Sequence, residues 1–278
     1  MTPGNSAHSL VILSAFLYLA SSAGYILYLI LQKDRIQTIS TALAGLGFGL
    51  HILGIGLATV AMGTLPVHNL PQNLSIAGAA LAGAYILLRF RLHLKILGVF
   101  AMPLVTITLV TSLIIHQPEL VRDNIVNNFW LIAHILLIFA GEAALVLACG
   151  AGILYLVQEK AIKAKTRGFF FRRLPPLDLL DSTSYSCVVY GFVMLTMGLI
   201  TGFVYAKLVW GRFWSWDPKE IWSAGTWLVY AALLHGRLTS GWMGRRSAIM
   251  TVVGFAVILF TFLGVNFLIG GHHQGFTQ

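Results

Sequence analysis

Apolar runs of helical length recur along the chain with short polar breaks between them, at 9–31, 38–63, 74–88, 96–115, 129–157, 187–209, 221–238 and 248–270. Crossing a hydrocarbon core takes about 20 apolar residues in a helix. Eight transmembrane helices are therefore predicted, the third short and the fifth long. The leading segment "MTPGNSAHS" has neither a positive n-region nor a small-residue cleavage pattern after the run that follows, so the first run is read as a span and not as a signal peptide.

Composition agrees with that pattern. With 58% hydrophobic residues, 10% charged residues and a mean hydropathy of +0.83, the chain is too apolar for a water-soluble domain. The expected fold is all-α, a single polytopic membrane domain over 1–278 with the lipid bilayer as its surround.

A formal charge of +9 would suggest nucleic acid if the basic residues were mixed along the chain, but they are sorted by loop. Lys33 and Arg35, Arg89, Arg91 and Lys95, the run Lys160 to Arg173, and Arg237, Arg245 and Arg246 occupy alternate connections, 14 of the 18 cations. By the positive-inside rule those loops are cytoplasmic, and an even number of spans puts both termini outside. The expected location is the bacterial cytoplasmic (inner) membrane, and nucleic acid is excluded as a partner. The longest break, 158–186, contains "EKAIKAKTRGFFFRRLPPLD" and reads as a basic extension of span five lying on lipid headgroups, ended by Pro-Pro. Cys149 and Cys187 lie in or beside apolar runs without Cys-x-x-Cys spacing and read as buried structural thiols.

Five of the seven tryptophans fall in "WGRFWSWDPKEIWSAGTW", 210–227. Asp217, Pro218 and Glu220 form a helix start, with Asp at the N-cap, Pro first and Glu reaching back as in a capping box. Trp222 and Trp227 ride on that helix. Trp210 and Gly211 lead into an extended stretch in which Trp214 and Trp216, two apart, face the same way. They are expected to form an apolar wall on the outer face, suited to a flat hydrophobic ligand.

The string "WGRFWSWDPKE" resembles the WWD motif of the heme-handling proteins of cytochrome c assembly, and Trp-Asp-Pro-Lys-Glu resembles their CcsA (ResC) branch. "GTLPVHNLPQNL" is similar to a family loop in Gly63, Pro66, Asn69, Leu70 and Leu74, and departs from it at Pro71, Gln72 and Asn73. "NFWLIAHILL" resembles the segment holding the first external histidine. "GVNFLIGGHHQG" resembles the closing segment, without its Ser-Tyr. The resemblance covers roughly 40–278.

It implies a non-covalent heme b cofactor bound against Trp210, Gly211, Trp214, Trp216, Asp217, Pro218 and Glu220. Two imidazoles flanking an aromatic plate are what bis-histidine ligation needs. His134, about 10 Å inside the outer end of span five by helical rise, and His273, just beyond span eight, are the expected outer pair, with His272 the rival of His273. His235 resembles the family's transmembrane histidine that receives heme from the cytoplasmic side. His51 or His93 is its candidate partner, although His51 lies deeper, about 20 Å from its inner end. His8, His68 and His116 read as solvated. Glu142, in span five, is expected to be a neutral or paired acid.

The implied function is heme delivery and presentation to a Cys-x-x-Cys-His segment of apocytochrome c, working with a CcsB (ResB)-type membrane subunit. Competing readings are a HemX-like regulator of tetrapyrrole biosynthesis and a heme exporter without ligation activity.

Overall fold

The computed structural model describes residues 3–92, 95–115, 128–165 and 168–264. It is all-helical over these residues. In order, the helices are α1 (Pro3–Leu31), α2 (Asp34–Met62), α3 (Leu70–Leu92), α4 (Gly98–Ile114, led by the 3-10 turn Lys95–Leu97) and α5 (Phe129–Lys163). After them come α6 (Phe169–Arg173), α7 (Leu177–Trp210), α8 (Pro218–Ser240) and α9 (Arg245–Leu259), the last continued by a π turn, Phe260–Gly264.

Among the described residues seven helices are long and apolar enough to cross a membrane: all but α6 and α8. The protein is a polytopic α-helical membrane protein. The expected count of eight included α8, which is 23 residues long but carries Lys219, Glu220, His235 and Arg237 and so falls short on composition.

The chain divides into two compact units after Ile132, in the first turn of α5. In the first, α1 packs along α2 and α4, and α3 packs on α2 and α4. The buried stripe of α2 is Gln37, Ser40, Ala44, Gly47, His51 and Gly54. Its alternating spacing of three and four is that of a helix–helix seam. Seam residues are small or polar, while Leu46, Ile52, Leu53 and Val60 point outward. That inversion of a soluble core follows from lipid being as apolar as leucine, so close backbone approach and interhelical hydrogen bonds hold the helices together. Ser21 Oγ donates to the Ser40 carbonyl at 2.7 Å, and the Ser22 and Thr106 hydroxyls meet at 2.8 Å.

Helix α3 begins where the Asn69 side chain accepts from the Gln72 N–H at 3.0 Å, while the Gln72 side-chain oxygen accepts from the His68 N–H at 2.7 Å. Gln72, a departure from the family loop, thus has a local structural job. This exchange folds His68 inward, to 3% exposure with Nε2 on the Thr64 hydroxyl. His68 is therefore not the solvated loop residue expected from sequence.

In the second unit α5 and α7 approach at Gly141 and Gly191. A Cβ on Gly141 would stand 2.9 Å from the Leu195 nitrogen and 3.0 Å from the Gly191 oxygen. Trp227 Nε1 donates to Thr196 Oγ1 at 2.9 Å, tying α8 to α7, and the Thr226 and Thr261 hydroxyls, 3.2 Å apart, tie α8 to the π turn. At the other end of α8, Arg237 makes a two-point ion pair with Asp181 of α7. Cys149 and Cys187 are both free and buried.

Candidate functional site

Helix α7 ends at Gly211, whose φ of 73° only glycine adopts without strain, and whose N–H reaches the Lys207 carbonyl. Gly211 is thus a helix C-cap, and Trp210 is the last helical residue, its ring edge-on to Tyr205 at 6.0 Å. Helix α8 starts with the expected box: the Lys219 N–H donates to Asp217 Oδ1 at 2.9 Å and the Asp217 N–H to Glu220 Oε2 at 3.3 Å. Glu220 also takes both the Ser215 N–H and its hydroxyl, each at 2.8 Å. One carboxylate therefore fixes the start of α8 and the loop that carries the tryptophans.

Trp214 and Trp216 do not form one flat wall. Their rings meet edge to face, 5.8 Å apart at 89°. The reason is backbone conformation: Trp216 has φ 60°, so the alternation of an extended strand fails at that residue. Trp216 is 76% exposed. Trp214 leans on Phe203 of α7 at 5.9 Å, and its indole N–H is buried without a hydrogen-bond partner. A left-handed tryptophan held open to solvent beside an orphaned donor is strain of the kind kept at functional sites.

Trp216→Gly removes both the ring and the strain. Its melting temperature should match or exceed wild type, while any activity that uses the ring is lost; a lower melting temperature would make Trp216 a structural residue.

His134, on α5, lies against the same stretch of α7. Its Nδ1 is 2.7 Å from the Gly198 carbonyl oxygen, which only accepts, so Nδ1 carries a proton and, in the neutral ring, Nε2 holds the lone pair. The ring packs on Gly202, where a Cβ would come within 2.6 Å of Nδ1. Gly198 and Gly202 were not singled out from the sequence; their four-residue spacing at the end of an apolar run is the available signal. Phe203 was missed as well. Residues 198–205, about two helical turns, thus carry both the histidine and the aromatic corner.

Gly202→Ala should force the His134 ring off the Gly198 carbonyl and lower site activity several-fold. Gly225→Ala is the control, since nothing lies within 4 Å of a Cβ there. Equal activity of the two variants would remove the positional role of Gly202.

The remaining candidates lie elsewhere along the helices or outside the described residues. His51, in the first unit, is fully buried, with Nε2 on Ser75 Oγ at 2.9 Å and its ring edge-on to Tyr18. His235, in the second, is exposed on α8. Glu142 lies in the electrostatic reach of Tyr230, whose hydroxyl is buried without a hydrogen-bond partner. His273, His272, His93 and His116 lie outside the described residues. No group of three or more metal-ligating side chains occurs among the described residues.

The family model "Cytochrome C assembly protein" matches residues 10–273. The chain belongs to the cytochrome c assembly protein family. Among curated relatives, a cytochrome c biogenesis protein CcsA of Guillardia theta is 32% identical over 82% of this chain and 85% of its own. A CcsA of Prochlorococcus marinus (strain MIT 9215) is 33% identical over 77% of each. Membership places the protein in cytochrome c biogenesis. A solved structure of the cytochrome c heme lyase CcmF aligns with 99% of this chain at a TM-score of 0.74 and 17% identity, a likeness of fold alone. This chain covers 49% of that lyase.

Proposed function

We propose that this family member binds heme at the outer end of the α5–α7–α8 unit and presents it for covalent attachment to an apocytochrome c. The observation that carries this reading is the convergence of His134 and the Trp214–Trp216 corner on residues 198–205 of α7.

The residues fit the group. With its proton on Nδ1, His134 has the tautomer of an Nε2 iron ligand, and the Gly198 carbonyl is the second partner that orients such ligands. Trp216 offers an exposed face and Trp214 a buried N–H donor. Glu220 holds the loop through Ser215, so the aromatic corner is set before any ligand arrives. His273 is the second axial ligand in this reading. His235, exposed on α8, is the better placed receiver of heme from the cytoplasmic side; His51 is already engaged by Ser75. Bound heme b supplies the two vinyl groups to which the thiols of a Cys-x-x-Cys-His segment add, and this chain contributes binding, orientation and water exclusion.

Helix α8, about 35 Å long by rise and capped at both ends, completes eight spans. Both termini then lie outside, the tryptophan loop faces the periplasm, and the location is the bacterial inner membrane. A CcsB-type membrane subunit is the proposed partner.

Co-expression with such a subunit and a cytochrome c reporter tests the reading. Covalent heme on the reporter that requires this chain is the expected result. Good expression of all three without covalent heme would refute it and favour a HemX-like regulator.

A further inference from the structure

The basic end of the first unit contains a cation whose surround is neutral. Tyr25, Tyr85 and Gln37 are at most 2% exposed there. The Tyr85 hydroxyl donates to that of Tyr25 at 2.6 Å, and the Tyr25 hydroxyl meets Thr41 Oγ1 at 2.7 Å. With the Gln37 amide turned to satisfy its neighbours, its oxygen accepts from both terminal nitrogens of Arg89, at 2.8 and 2.5 Å. The Tyr85 oxygen faces the same guanidinium. Arg89 Nε is enclosed and has no hydrogen-bond partner.

What the described residues lack there is a negative charge. Among the described residues of this unit the sole carboxylate is Asp34, and it is taken by Lys95 at 3.0 Å, out in solvent. Lys33, Arg35 and Arg91 add further cations at the same end. A guanidinium part-buried among neutral groups is costly unless an anion completes it, and the N–H groups of its terminal nitrogens that Gln37 leaves over can donate to the oxygens of a phosphate or carboxylate. Leu87 and Phe90, beside Arg89 in α3, are 63% and 68% exposed, an apolar surface for the chains or rings to which such an anion is attached.

We propose that Arg89, cradled by Gln37, Tyr25 and Tyr85, is a binding site for an oxyanion carried at the membrane surface, either a lipid phosphodiester or a porphyrin carboxylate. The porphyrin source rests on the heme-handling reading above; the lipid source does not.

The test has one arm for each source. Wild type, Arg89→Gln and Arg89→Lys are extracted from phosphatidylglycerol bilayers, and retained phospholipid is counted by native mass spectrometry. Separately, each is titrated with heme and with heme dimethyl ester, which lacks free carboxylates. For a lipid phosphate, Arg89→Gln loses one retained phospholipid and Arg89→Lys retains it partially. For a porphyrin carboxylate, wild type prefers heme over its diester roughly tenfold or more, and Arg89→Gln abolishes the preference. Wild type alone gives a check free of any folding defect: phosphatidylglycerol should raise its melting temperature and diacylglycerol should not. Unchanged lipid retention and no heme-over-diester preference overturn the proposal. Absence of heme binding altogether defeats the porphyrin source and the heme-handling reading, while the lipid counts still decide the site.

Discussion

Asp181→Ala should lower stability by about 3–5 kcal/mol, the range for removing one partner of a buried ion pair. Asp181 receives Arg237 Nη2 at 2.6 Å and Nη1 at 3.0 Å, and both side chains are only 10% exposed. The same carboxylate accepts from the Gly244 N–H at 3.0 Å, so it joins the start of α7, the end of α8 and the turn into α9. Removing it leaves Arg237 with Ser247 Oγ at 3.3 Å and the ring of Tyr185 at 4.3 Å, and no other ion-pair partner among the described residues. Asp181→Leu combined with Arg237→Met should recover most of the loss, because the penalty comes from the stranded charge and not from the missing attraction. Thermal unfolding in detergent measures both. A single variant melting like wild type, or a double variant worse than the single, would contradict this view of the α7–α8–α9 junction.

His134→Ala should reduce covalent heme on the co-expressed reporter to below about a tenth of wild type, in line with the sensitivity of metal sites to their ligands and ligand-orienting partners. The fold should survive. His134 meets α7 at Gly198 and Gly202, whereas Gly141, Gly191 and the Trp227–Thr196 bond hold α5, α7 and α8 together at other points. Added imidazole should restore part of the yield by filling the space beside Gly202, a rescue that a purely structural histidine would not show. Full activity of His134→Ala would remove it as a ligand.

Seven spans were legible as apolar runs, because a helix facing lipid must be apolar along its exposed side. The start of α8 was legible residue by residue, since an N-cap depends on neighbours within one turn and Asp217, Pro218 and Glu220 are a complete set. The geometry of the tryptophans was not. Period-two reasoning assumes extended φ, and nothing in "WSWD" announces that Trp216 takes 60°. Long-range partners were invisible for the same kind of reason. The Gly198 carbonyl under His134, the Ser75 hydroxyl on His51 and the inward turn of His68 all depend on which helix lies opposite. In α8 the charged residues that lower the mean hydropathy include Glu220, which caps the helix, and Arg237, which anchors it.

The most direct measurement is the absorption spectrum of the purified wild-type chain, oxidised and dithionite-reduced, beside His134→Ala and His273→Ala. A low-spin bis-histidine heme b spectrum in wild type, lost or turned high-spin in either variant, is the expected result. A wild-type protein that carries no heme, or variants that keep the same low-spin spectrum, would contradict the placement of heme between His134 and His273.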